Sequence, residues 1–253
     1  MDQGVVARLR VAGCVFAEDE ARLIGETARS PAEAETMIVR RVAGEPLEHV
    51  LGWAEFAGLR VEVGPGVFVP RHRSELLVDL ARRWVRPGAV VVDLCCGTGA
   101  LGLAVVRRLD GVELHAADVD PAAVACARRN VEPAGRVHQG DLYAALPAGL
   151  RGRVDVLLAS PPYVPTAAIA LMPPEARDHE PRTALDGGGD GLGLVRRIAA
   201  GAPGWLATGG VVLLELSAAQ AAAAVDAVKD AGLADEEHHD DDGESTVVTG
   251  QRG

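Results

Sequence analysis

The thirteen residues "VVVDLCCGTGALG" (Val90–Gly102) decide the fold. Val90, Val91, Val92 and Leu94 are apolar on alternate and on consecutive positions, so a strand built from them has no wet face and belongs inside a sheet covered on both sides. Gly97, Gly99 and Gly102 follow in a Gly-x-Gly-x-x-Gly spacing, just where the pattern changes from strand to helix. Glycines at that junction permit a tight turn and a close approach of the backbone to a ligand. Asp93 either orients this loop or simply ends the strand, and it is placed with the ligand-binding set.

Outward from this stretch the same alternation repeats. Downstream come "VELHAADV", the helical "PAAVACARRN", "RVHQGDL", "VDVLLAS", a helix near Leu192 to Ala200, "GGVVLLEL", an alanine-rich helix over 218–231 and "STVVTGQR". Apolar strands separated by helices predict an α/β domain with a doubly wound, mostly parallel sheet. The acidic segment "DEEHHDDDGES" (235–245) reads as a solvated loop before the last strand rather than a metal site. Upstream, "SELLVDLARRWV" places Leu76, Leu77, Leu80, Ala81 and Trp84 on one helical face. "HVLGWAEFAGLRVEVGPGVFVP" breaks into short strands at glycines, as a hairpin connector does. Ser30, Pro31 and Glu33 predict a helix opening with a capping box, stopped at Gly44 and Pro46. The boundary falls near Pro70, giving a small helical domain with a hairpin connector over 1–70 and a ligand-binding domain over 71–253.

Composition narrows the function classes. No apolar run reaches the roughly 18 residues that a membrane span requires, and the start "MDQGVVARLR" lacks a signal core, which predicts a cytoplasmic protein. The four cysteines have neither CxxC nor zinc-site spacing and read as reduced thiols. A formal charge of −11 argues against binding nucleic acid chiefly through phosphate neutralisation. Oligomeric state is not readable. His49, His72 and His179 read as packing or solvent residues.

In an open parallel sheet, ligands bind beyond the carboxyl ends of the strands. Asp118, at the end of the second strand of the series, stands where a carboxylate accepts from two ribose hydroxyls, with Asp120 the better cap for the next helix. Asp141, with Leu142 beside it, follows the third strand where an adenine amino group would lie. The fourth strand ends in "SPPYVP" (Ser160–Pro165), and its two prolines leave no N–H at 161 and 162, so the loop offers carbonyl acceptors in a stiff shape. Tyr163 adds a flat wall.

With these residues the sequence resembles the HemK/PrmC-type protein-glutamine N5-methyltransferases, among the class I S-adenosylmethionine (SAM)-dependent methyltransferases. The resemblance runs through "RRVAGEPLEHVLGWAEFAGLRVEV", "VPRHRSELLV", "DLCCGTGALG", "SPPY" and "EPRTALDGGGDGL". It implies SAM as cofactor, with Asp93, Gly97, Gly99, Asp118, Asp141 and Leu142 around it. It also implies that Ser160, Pro161, Pro162 and Tyr163 hold the acceptor, with Ser160, Pro161 and Tyr163 in catalytic roles. In that family the loop reads Asn-Pro-Pro-Tyr, and the Asn oxygen and a proline carbonyl accept the two hydrogens of a glutamine amide. Here Ser160 replaces the Asn, and His72 and Arg73 replace a Pro and a Glu. The implied partner is a protein, such as a peptide chain release factor or a ribosomal protein, gripped by the amino-terminal helices. Two other readings stand beside it: an amino-methyltransferase acting on a flipped nucleic-acid base, and a non-catalytic SAM-binding paralogue.

Overall fold

The computed structural model describes residues 3–132, 134–240 and 245–253. Helices α1 (Gln3–Val11), α2 (Ala17–Thr27), α3 (Pro31–Val42) and α4 (Leu47–Leu51) form the amino-terminal part, packed around Ile24, Met37, Ile38, Val50 and Leu51. At the start of α3 the Ser30 hydroxyl accepts from Glu33 N–H at 3.2 Å. The reciprocal half of the expected box closes one residue upstream, because the Glu33 carboxylate takes the N–H of Arg29, whose guanidinium it also pairs with.

Strands β1 (Trp53–Phe56) and β2 (Leu59–Glu62) make the antiparallel hairpin. Its apolar residues Phe56 and Val61 are buried in the same core as Leu77, Val91 and Val105, so the hairpin packs with the sheet, while Trp53 at its start packs against the α1–α4 core and donates from Nε1 to Thr27 Oγ1 at 3.3 Å. Helix α5 (Glu75–Arg82) follows, burying Leu77, Val78, Leu80 and Ala81.

Then β3 (Val90–Leu94), α6 (Ala100–Val106), β4 (Glu113–Asp118), α7 (Pro121–Val131), β5 (Gly135–Gln139) and β6 (Val154–Ala159) lead to the short helices α8 (Pro174–His179) and α9 (Arg182–Leu185). α10 (Gly193–Gly201), β7 (Leu206–Leu216), α11 (Ala221–Asp230), β8 (Ala234–His239) and β9 (Thr246–Gln251) complete the chain. The seven-stranded sheet has the order β5-β4-β3-β6-β7-β9-β8, parallel except for β9, which runs antiparallel to both neighbours. Order reverses between β3 and β6, both paired to each other and both covered, so the carboxyl ends of these strands open onto the crevice that such sheets use for ligands. Apolar cores lie on both faces of the sheet.

One expectation fails here. Residues 234–239 are not a solvated loop but the edge strand β8, paired through its whole length with β9. Its acids mislead because an edge strand that stays largely exposed carries charged side chains without penalty. Residues 241–244 of the acidic segment lie outside the described residues.

Candidate functional site

Beyond Leu94 the chain leaves β3 through Cys95 and Gly97, at φ of 56° and 54°. A non-glycine residue such as Cys95 in the left-handed region is uncommon, and such strain gathers at binding sites. The turn is tied to the end of β4. Cys96 N–H donates to the Ala117 carbonyl at 3.1 Å, and Gly97 N–H donates to Asp118 Oδ2 at 2.9 Å. Asp118 Oδ1 accepts from Asp120 N–H at 2.9 Å, while Asp120 itself caps α7 through Ala122 N–H at 2.8 Å. Burial pushes the Asp118 carboxyl up, and the N–H groups of Asp120 and Gly97 oppose that rise.

Asp93 and Gly99 stand behind this wall. Asp93 is fully buried, and its Oδ2 accepts from Gly102 N–H at 2.9 Å, clamping the first turn of α6, while Oδ1 has no partner. Burial pushes its carboxyl up to about 7, with the Gly102 N–H acting against it. A Cβ on Gly99 would fall 2.5 Å from Val131, so this glycine allows α7 to close on the loop. Asp93 and Gly99 therefore shape the loop that Gly97 presents, and the structure places neither on the cavity wall where the other residues of the expected set stand.

After β5, Asp141 and Leu142 reach the same cavity. Asp141 Oδ2 accepts from the Arg197 guanidinium at 2.6 Å, and Leu142 has a φ of 48°.

Ser160–Tyr163 leaves β6 opposite this turn. The parallel register that sets Ala159 against Leu214 carries Ser160 on beside Glu215. Pro161 and Pro162 are buried and Ser160 and Tyr163 partly so. The segment is gripped by the loop that follows α9: Val164 N–H donates to the Leu185 carbonyl, Gly187 N–H to the Val164 carbonyl, and Thr166 N–H to the Gly188 carbonyl. A Cβ on Gly187 would lie 2.6 Å from the Pro162 carbonyl oxygen, and one on Gly191 would lie 2.1 Å from that of Tyr163. Only glycine permits that approach. Gln220, in a capping box with Ser217, donates from Nε2 to the Tyr163 carbonyl at 2.8 Å. The Arg73 guanidinium sits 5.9 Å from the centre of the Tyr163 ring, and burial pushes the phenol up.

Sequence reasoning missed several polar groups on this side. Ser74 Oγ donates to Glu215 Oε1 at 3.0 Å. Glu180, nearly buried, accepts from the Arg71 guanidinium at 2.6 Å and from Val69 N–H at 3.3 Å. Glu215 alone left a trace, as the one acid inside the apolar run "GGVVLLEL".

One cavity of about 520 Å³ collects Gly97, Asp118, Asp141, Leu142 and Ser160–Tyr163 with Arg71, Arg73, Ser74, Glu180 and Glu215. Its volume is within the range of small-molecule and cofactor sites, roughly 300–1,000 Å³. The carboxylate and turn of one end suit the hydroxyls of a nucleoside, and the carbonyls and ring of the other suit a planar group with two hydrogens to donate.

Residues 59–197 match the methyltransferase small domain family. The release factor glutamine methyltransferase of Mycolicibacterium smegmatis is 39% identical over 86% of this chain and 79% of its own length. That of Streptomyces coelicolor is 43% identical over 71% of this chain, which spans only 65% of that relative's length. Among solved structures, a methyltransferase from Pyrococcus furiosus superposes with a TM-score of 0.59 at 20% identity, covering 78% of this chain and 90% of its own. The T. thermophilus 16S rRNA N2 G1207 methyltransferase, in complex with AdoMet and guanosine, superposes with a TM-score of 0.55 at 22% identity, covering 79% of this chain and 50% of its own. The fold is that of the class I methyltransferases.

Proposed function

We propose, for a chain that belongs to the methyltransferase small domain family and within it to the release factor glutamine methyltransferases, that it transfers a methyl group from SAM to the side-chain amide nitrogen of a glutamine in a protein. The observation that carries this reading is the rigid Ser160–Tyr163 loop facing Gly97 and Asp118 across one cavity. A hydride-transfer site would instead need room for a nicotinamide ring and a catalytic side chain beside a carbinol.

The residues present fit SAM. Each Asp118 oxygen holds one backbone N–H and keeps a second lone pair for a ribose hydroxyl. A Cβ added to Gly97 would meet nothing within 4 Å, leaving its backbone open to a ligand. Bound there, SAM supplies an electrophilic methyl group on a positively charged sulfur. An amide nitrogen is a weak nucleophile because its lone pair is delocalised, so the chain's contribution is alignment and electrostatics. Ser160 and the Pro161 carbonyl accept the two amide hydrogens, and Tyr163 closes one side. Carbonyl acceptors favour the positive charge that develops on nitrogen as the nitrogen–carbon bond forms and the sulfur–methyl bond breaks, and one amide proton then leaves to solvent. Alignment alone supplies as much as roughly 7–11 kcal/mol in well-oriented systems.

The partner in this reading is a peptide chain release factor, gripped by α1–α4. The location is cytoplasmic, in keeping with the four free thiols. Among the described residues no helix is long and apolar enough to cross a membrane. Incubation with methyl-labelled SAM, a Gly-Gly-Gln-containing protein and nucleic acid, followed by mass spectrometry, tests the proposal. Label on the glutamine amide supports it. Label only on nucleic acid favours base methylation, and SAM binding without transfer to either favours a non-catalytic paralogue.

A further inference from the structure

Glu215 is a buried carboxylate with no role in the mechanism above. It stands one residue before the end of β7, after the apolar run Val211–Leu214, it lines the cavity, and only 2% of it is exposed. Its Oε1 takes the Ser74 hydroxyl at 3.0 Å and lies 3.7 Å from the Arg73 guanidinium. Its Oε2 is fully buried without a hydrogen-bond partner. A buried carboxylate oxygen left open is costly unless something fills it. The neighbour in position to do so is Ser160, brought beside Glu215 by the β6–β7 register.

A serine hydroxyl is both donor and acceptor and rotates freely. Facing an amide that offers two hydrogens, it binds well only when its own hydrogen points elsewhere. We propose that Glu215 is a positioning residue for the acceptor: its Oε2 takes the Ser160 hydroxyl hydrogen, and this turns the Ser160 lone pairs toward the substrate amide. Ser160 then presents the polarity that an Asn oxygen presents in the resembling family. Burial pushes the Glu215 carboxyl up, and the hydroxyls of Ser74 and Ser160, with Arg73, oppose that rise. No proton is transferred, and Glu215 does not touch the substrate.

This inference rests on the proposed glutamine specificity and is tested by a double-mutant cycle. Affinity for a Gly-Gly-Gln peptide is measured by calorimetry on the enzyme loaded with S-adenosylhomocysteine, and kcat and KM are measured beside it. Glu215→Met removes the acceptor and is expected to weaken peptide binding and raise KM about tenfold, while Glu215→Gln, which keeps one carbonyl oxygen, recovers all but about threefold, the size of a single coupled hydrogen bond. In a Ser160→Ala background Glu215→Met is expected to cost less than about twofold. Melting temperatures and SAM affinity identify any variant that is merely unstable. An equal cost of Glu215→Met in the unaltered and the Ser160→Ala backgrounds overturns the inference, since Glu215 then acts independently of Ser160. Failure of the unaltered enzyme to bind or methylate any glutamine peptide overturns the functional reading, and the inference with it.

Discussion

The two ends of the cavity are built differently. Around Gly97 and Asp118 the contacts are between consecutive turns: the turn after one strand end donates the Gly97 N–H to the acid at the next, 21 residues on. Around Ser160 and Tyr163 the contacts reach across the chain, from Ser74 to Glu215 over 141 residues, from Arg71 to Glu180 over 109, and from Gln220 to Tyr163 over 57. The first end follows from any strand–loop–helix unit of the right spacing. The second exists only when the connector, the loop after α9 and the start of α11 have all docked. Substitutions at the two ends are therefore expected to act on different quantities.

The largest effect expected is on folding itself. A chain beginning at Arg71 loses Phe56 and Val61 from the core, and with about 3–5 kcal/mol for a large buried aromatic alone, it is expected to be unfolded by circular dichroism. A chain beginning at Gly52 keeps the hairpin; it is expected to hold SAM normally and to lose methylation of the protein partner. Loss of SAM binding in a folded version of that chain would erase the division between the two ends.

Gly191→Ala comes next. Its Cβ would collide with the Tyr163 carbonyl, and an ångström of misplacement at a reacting centre costs about 100-fold in rate. Transfer should fall by that order while SAM affinity in calorimetry is unchanged. Asp118→Ala should show the reverse pattern, weakening SAM by roughly 1.5–3 kcal/mol per charge-assisted hydrogen bond lost with peptide affinity retained.

Asp93 gives a smaller, pH-dependent effect. Its carboxyl is pushed up to about 7 in the folded protein, against about 3.9 in an unfolded chain. Between these values the folded protein holds a proton that the unfolded chain has released. This group's contribution to stability is thus full below about pH 4 and is lost as pH rises through about 7. Urea midpoints between pH 5 and 8 should decline partly for this reason, and Asp93→Asn should flatten that part of the profile. The smallest effect expected is that of Ser160→Asn, which supplies a fixed amide oxygen. It should hold or raise methylation of a Gly-Gly-Gln peptide by no more than about threefold, a fraction of one hydrogen bond. A large fall would mean that the acceptor is not a glutamine amide.

The same contrast explains what was legible in the sequence. Apolar runs, glycine spacing and prolines are local signals, so β3–β7, the turn at Gly97 and the rigid Ser160–Tyr163 loop could all be read from them. Asp118 and Asp141, which line the cavity, could be singled out because position after a strand is itself local. Asp93 and Gly99 carry the right spacing but stand behind the cavity wall, Asp93 holding Gly102 N–H and Gly99 making room for Val131, which local spacing does not reveal. Glu180, Arg71 and Ser74 were invisible, since nothing in a sequence announces a partner more than 100 residues away. The edge strand β8 was lost to its own charges.

That strand has a consequence for the molecule among its copies. Among the described residues β8 ends the sheet with one side of its backbone unpaired, and a free edge is a template for another strand. Glu236 and Glu237 are exposed on it, while Asp235 is paired with Lys229, so a second copy approaching rim to rim meets carboxylate with carboxylate. The repulsion reaches roughly 8–10 Å at ordinary salt. The acids that resemble a loop thus act as a colloidal guard, holding the open end of the sheet away from its own kind in a crowded solution.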